Sequence, residues 1–175
     1  GSRLEHRLSQ VVLQPAIQEW DSPRWAIGLC TKTSVENSRI PWLWEQFLSR
    51  KQEIQDQLPA GANYGISIYE KHLTLQDMDE TTEYLEIACC ETAAAAQPPA
   101  GMTKYKIPEG LYAVFIHKGP VATMTDTYNY IFGTWLFQSP YRLDHRDTFE
   151  QYSADYYGSD HPNSLTRIFL PIQLS

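Results

Sequence analysis

Two hydrophobic rhythms alternate along this chain. Period-two stretches read as strands: Trp25-Ala26-Ile27-Gly28-Leu29-Cys30, then residues 64–69 and 84–89, then 112–117, 149–154 and 165–172. Between them lie two stretches with helical spacing. The first starts at Ser38-Arg39-Ile40-Pro41, with proline in the first turn, and places Leu43, Phe47 and Ile54 on one face with Trp44 and Leu48 beside it. It stops before Leu58-Pro59-Ala60-Gly61. The second runs from Thr123 to Leu136, with Thr123 or Thr125 as its cap and Met124, Tyr128, Ile131 and Trp135 along one side. The polar stretches 76–80 and 158–163 read as hairpin loops.

The order strand-helix-strand-strand thus occurs twice. Pro41 and Met124, Tyr64 and Phe149, and Tyr84 and Arg167 are related by nearly one offset, which argues for a duplicated unit. The expected fold class is α+β: two such units related by a pseudo-twofold axis, with a central groove where they meet. The halves span about 16–91 and 102–173, joined by an Ala- and Pro-rich linker over 92–101. Each half is too small to be stable alone, so a single domain over 1–175 is expected.

Charge and composition narrow the function. The net charge of −7 argues against a nucleic-acid surface. No apolar run approaches the roughly 18 residues of a membrane span. Cys30, Cys89 and Cys90 form no disulfide framework, and adjacent strand residues point to opposite faces, so buried reduced thiols in a cytoplasmic protein are expected. No metal-ligand or cofactor motif is present, and His72, His117, His145 and His161 fall at turns or polar segments that read as solvated. The start, Gly1-Ser2-Arg3, is neither a signal nor a transit sequence and has the look of a tag scar. Five Trp and eleven Tyr are the compositional outlier, and so many phenol groups suggest a partly wet cavity.

The most specific chemistry lies in Thr148-Phe149-Glu150-Gln151-Tyr152. Alternation puts Glu150 and Tyr152 on one face, Phe149 and Gln151 on the other. A covered carboxylate needs a proton or a cation. Beside tyrosine rings it makes a site for flat organic cations. Tyr64 and Tyr69 are wall candidates on opposite faces of their strand, so at most one lines the groove. Trp42 and Trp44 likewise cannot both face one site. Trp135 fits the core but is a candidate groove floor, Tyr112 and Phe115 point to different faces, and Glu86 is a second acid read as surface. The candidate ligand set is Glu150, Tyr152, Tyr64, Trp42, Tyr112, Trp135 and Phe149.

The run Ile107-Pro108-Glu109-Gly110-Leu111-Tyr112-Ala113-Val114-Phe115-Ile116-His117-Lys118-Gly119-Pro120, with Gly133-Thr134-Trp135-Leu136, Ser139-Pro140-Tyr141, Phe149-Glu150-Gln151-Tyr152 and Ile168-Phe169-Leu170-Pro171-Ile172, resembles the AraC-type effector-binding, or gyrase-inhibitor-like, small-molecule-binding family. Ile40-Pro41-Trp42-Leu43-Trp44-Glu45-Gln46-Phe47 and Tyr64-Gly65-Ile66 extend the resemblance into the first half. It implies a groove for hydrophobic, often cationic compounds, with Glu150 meeting the cation between aromatic walls. Many relatives carry a DNA-binding region ahead of this module. Only about fifteen residues precede the first unit, so a stand-alone module without direct nucleic-acid contact is expected. The expected role is a sensor or sequestering protein for hydrophobic cations. The alternatives are a hydrolase using Glu150 with Tyr152 or Tyr112, and an inhibitor of a protein partner such as gyrase. A homodimer is compatible with any of these.

Overall fold

The computed structural model describes residues 13–175. Gly1-Ser2-Arg3 and most of the segment ahead of the first unit therefore lie outside the described residues. In chain order the elements are β1 (Ala16–Trp20), β2 (Arg24–Thr33), α1 (Ile40–Arg50), β3 (Asn63–Ile68), β4 (Tyr84–Thr92), β5 (Thr103–Ile107) and β6 (Gly110–Lys118). After these come α2 (Met124–Tyr130), a π-helix (Ile131–Trp135), α3 (Leu136–Gln138), β7 (Tyr141–Leu143), β8 (Thr148–Tyr152) and β9 (Leu165–Leu174).

All pairings are antiparallel and join the strands into one sheet of order β1-β6-β9-β8-β3-β4-β2-β5, with β7 beside β9. That order is a palindrome of the two units about the β3–β8 seam. The fold is the expected α+β duplication. Its leading strands are exchanged: β1 precedes the first unit but pairs with β6 of the second, and β5 precedes the second but pairs with β2 of the first. The equivalence of Tyr84 with Arg167 needs correction. Ile66 faces Ile87 as Gln151 faces Arg167, so Ile87 is the counterpart, because the β3–β4 connection is longer than the β8–β9 connection.

Three apolar clusters hold the sheet. Trp20 of β1 and Ile107 of β5 join one cluster with Tyr64, Tyr112, Phe149 and Phe169. Both edges of the sheet touching one cluster means the sheet curls around it. Phe149 and Phe169 stack at 4.7 Å at its centre, and each such ring contributes about 1.5–3 kcal/mol by burial. On the outer face, Leu43 and Phe47 of α1 cover Ile27, Ala88 and Cys90. Met124 and Ile131 of the second helical segment cover Ala113, Phe115, Ile168 and Leu170.

Several expectations are corrected. The second helix is a 3-10 turn at Val121–Thr123, then α2, a π-helix and α3, with no side-chain cap at Thr123, whose hydroxyl instead donates to Pro120 O at 2.8 Å. Cys89 and Cys90 do occupy opposite faces, but Cys30 is exposed rather than buried. His117 is not solvated: it is 5% exposed, with Nδ1 at 2.7 Å from Thr127 Oγ1. The edge strands β1 and β5 escape the hydrophobic pattern, since four of five β1 residues are exposed and β5 alternates lysines outward. Lys104 and Lys106 on the free edge discourage pairing with another sheet.

At Gly28 the backbone of β4 leaves no room for a side chain. A Cβ there would fall 1.8 Å from Ala88 O and 2.6 Å from Cys89 Cα, both backbone atoms that cannot swing aside. Gly28→Ala is therefore expected to lower stability by about 2–3 kcal/mol in a denaturant titration. An unchanged midpoint would contradict the register given for β2 and β4.

Candidate functional site

The site grows from the seam between the two units. Gly65 of β3 pairs with Glu150 of β8. Alternation then sends Phe149 into the inner cluster, while Gln151 Nε2 donates to Tyr64 OH at 3.2 Å on that same side. Glu150 and Tyr152 go to the outer face. There α1 lies over β2 and β4, and the second helical segment packs on β6 and β9. The strip of β3 and β8 between them, with Gly65 and Ser67 at its base, is the candidate groove.

Glu150 is gripped from both sides. Tyr128 OH donates to Oε1 at 2.6 Å and Tyr152 OH donates to Oε2 in a short hydrogen bond. The Tyr152 ring meets Trp44 edge-on at 5.3 Å and Tyr156 at 4.7 Å. Tyr128 stacks on Phe132 of the π-helix. Across β3, Glu86 Oε2 accepts a hydrogen bond from Ser67 Oγ at 2.7 Å. Tyr69 and Tyr84 stack at 4.6 Å beside it. Gly65 is the bare point where these groups converge. A Cβ there would lie 3.2 Å from Glu86 Oε1, 3.6 Å from Trp44 and 3.7 Å from Tyr152.

The electrostatics are one-sided. Glu86 is only 4% exposed. Burial first, and the nearby Glu150 carboxylate second, push it well above the usual carboxylate range, against the pull of the Ser67 hydrogen bond. Burial and the Glu150 charge likewise push the Tyr128 and Tyr152 phenols well up, so both keep their protons and act as donors. Tyr84 is pushed up by burial, then by Glu86. Among the described residues no Lys, Arg or His forms an ion pair with Glu86 or Glu150. Nor do three potential metal ligands converge among them. Two acids, one of them buried, and a set of aromatic rings thus meet above Gly65 with no counter-charge among the described residues.

Only part of the expected set meets here. Glu150 and Tyr152 do. Tyr64, Tyr112 and Phe149 do not: all three are buried in the inner cluster, because their parity points them away from Glu150. Tyr112 OH is already satisfied by Pro108 O at 2.6 Å. Trp42 is 46% exposed on α1 under the Arg39 guanidinium, and its neighbour Trp44 turns toward the groove instead. Trp135 packs edge-on against Phe115 at 5.0 Å and stacks on Tyr141, as core under the second helix. Glu86, read as surface, is buried. The alternation Tyr84-Glu86-Ala88-Cys90 carried the signal, since its other members include core residues. Tyr128 sat in the apolar stripe of the helix, and its hydroxyl, which needs a partner inside a core, was the missed clue.

A separate open cleft of about 630 Å³ lies beside Lys118, Asp155, Tyr157 and His161. Its carboxylate is already matched by Arg167, which makes two hydrogen bonds to Asp155 at 2.9 and 2.7 Å. The unmatched charge is in the groove, so the groove is the candidate site.

Comparison with known proteins bears on this arrangement. BrlR, a transcriptional regulator of Pseudomonas aeruginosa, is 25% identical over 170 residues, covering 97% of this chain and 57% of BrlR. The chain therefore spans little more than half of that relative. EcmrR, solved in a complex with DNA, superposes with a TM-score of 0.72 at 17% identity over 98% of this chain and 62% of EcmrR. SAV2435, solved bound to tetraphenylphosphonium, gives a TM-score of 0.64 at 13% identity over 91% of this chain and 94% of its own. Among the described residues no helix is long and apolar enough to cross a membrane. The model of the GyrI-like small molecule binding domain matches residues 14–173, nearly the whole of the duplicated unit described above, and the chain belongs to that family.

Proposed function

We propose that the groove binds a hydrophobic organic cation, and that the protein acts as a sensor or sequestering module for such compounds. One observation carries this reading: Glu150 is fixed by two phenol donors, walled by aromatic rings and left without a basic partner. A cation over such rings gains about 0.5–2 kcal/mol per contact, more as water is excluded. Two or three contacts with Glu150 and apolar burial reach micromolar affinity, about −8 kcal/mol. That SAV2435, a protein of similar fold, holds tetraphenylphosphonium supports the ligand class.

The same phenol contacts favour a second reading, hydrolysis of an electrophilic small molecule. Glu150 would then activate water or attack directly, and Tyr152 would supply a proton to the leaving oxygen. Turnover separates the two readings, since a binder returns its ligand unchanged.

Two outcomes are expected. Tetraphenylphosphonium should quench Trp44 fluorescence on binding, and Glu150→Gln should weaken it by more than about tenfold. The neutral triphenylphosphine oxide should be nearly indifferent to that substitution. Equal loss or equal retention of both would sink the charge role of Glu150. Separately, Gly65→Val places methyl groups where Glu86, Trp44 and Tyr152 converge, and should abolish binding of cation and neutral compound alike in the same titration. Undiminished binding would put the ligand elsewhere.

A further inference from the structure

Cation binding at Glu150 leaves the second acid unexplained. Glu86 is buried and accepts one hydrogen bond, from Ser67. Its other oxygen lies 3.2 Å from where a Gly65 Cβ would stand, and Gly65 is the residue paired with Glu150 of β8. The backbones of β4 and β8, which flank β3, are separated by about 9.6 Å, two strand spacings. The Glu150 charge acts on Glu86 across that gap.

The surroundings of Glu86 hold no positive charge. Facing it are Ser67 on β3 and Tyr69 just beyond it, Tyr84 on its own strand and Thr31 on β2, while Cys89 and Cys30 feel its charge from the other face of the sheet. From β8 come Glu150 and Tyr152, and from α2 Tyr128. Trp44 of α1 closes the side and does not titrate. Every titratable neighbour is neutral or an acid. In an empty groove a buried carboxylate and a half-buried one across β3 cannot both be charged at small cost, so one keeps a proton. Both oxygens of Glu150 already accept a phenol hydrogen bond, whereas Glu86 is more deeply buried and has a single donor, so Glu86 is the one left to hold the proton.

We propose that Glu86 is a second, switchable anchor that sets the groove's preference for the charge of its ligand: it keeps its proton beside a monocation and gives that proton to solvent when an aromatic dication enters. This rests on the cation reading of Glu150. A monocation is neutralised by Glu150 alone, and ionising Glu86 would then bury an excess negative charge. A dication brings a second positive centre, and the carboxylic acid becomes a carboxylate paired with it, releasing one proton to the buffer. The fitting class is a flat dication whose centres are no farther apart than the two flanking strands.

Two probes of the same shape separate the cases: 1-methyl-4-phenylpyridinium, a monocation, and methyl viologen, a dication. Calorimetric titration near pH 5.5, in buffers of different ionisation enthalpy, reads the protons released. Methyl viologen should release about one proton and the monocation almost none. The sign follows from where the proton sits. Below the raised value of Glu86 the ligand must expel it, so dication affinity climbs about tenfold per pH unit, then levels off once Glu86 is ionised in the empty groove. Glu86→Gln should abolish the release and weaken methyl viologen by about tenfold, leaving the monocation within about twofold. Binding of both probes with no proton released by the dication, and no effect of Glu86→Gln, would overturn the inference while sparing the cation reading. Binding of neither probe would remove both.

The ligand-free protein gives an independent check. Folded Glu86 holds its proton more tightly than the unfolded chain, whose ordinary value is 4.5, so stability from this group falls as pH rises above that value toward the folded one. Thermal melts across that range should show the decline in wild type and a flatter profile in Glu86→Gln. Parallel profiles would contradict a proton held at Glu86.

Discussion

The pairing of β3 with β8 is the constraint on which the rest depends. It is the one ladder that joins the two units at the pseudo-twofold axis, through Gly65 opposite Glu150. Because side chains alternate, this register decides which face each acid and ring occupies. A shift by one residue would drive Glu150 into the aromatic cluster with Phe149's neighbours and expel Phe149 into the groove. The stacked Phe149–Phe169 pair and the exchanged edge strands hold that register from the inner side. The site is thus built on the seam of the sheet, with α1 walling it through Trp44 and α2 supplying the Tyr128 hydrogen bond to Glu150.

That placement explains how the fold tolerates an acidic groove. An uncompensated buried carboxylate costs several kcal/mol. Here the load is divided. Glu150 stays partly open to solvent and accepts a hydrogen bond from each of two phenols, and Glu86 is pushed toward its neutral form by burial. Elsewhere the buried acid Glu91 has company of the opposite sign: Arg24 lies 3.7 Å away and Tyr64 OH donates at 3.2 Å. The contrast is informative. One buried acid is matched within the chain, and the groove acids are not, which is the asymmetry the proposed cation site rests on.

Much of this was legible in the sequence. The strand runs were period-two, the helices carried Leu43–Phe47 and Met124–Ile131 on one side, and their recurrence disclosed the duplication. Alternation put Glu150 and Tyr152 on one face, the family resemblance singled out Glu150, and the structure joins the two by a hydrogen bond. What stayed hidden depended on tertiary pairing. Tyr64, Tyr112 and Phe149 are as aromatic as any wall residue, and only the curl of the sheet tells that their face is the closed one. β1 and β5 lack a hydrophobic rhythm because each contributes few residues to the interior and is held by partners in the other unit. Trp44 could not be chosen over Trp42 without knowing how α1 is rotated on β2 and β4.

The central claim is that an unpartnered charge in the groove is the binding determinant. It is tested most directly by a crystal structure of the protein with tetraphenylphosphonium. The phosphonium should lie over the Gly65 floor, with its phenyl groups against Trp44, Tyr128 and Tyr152 and its centre within about 6 Å of the nearest ring. A cation seated instead in the open cleft beside Asp155 and Tyr157, with the Glu150–Tyr128 and Glu150–Tyr152 hydrogen bonds undisturbed and the groove empty, would contradict it.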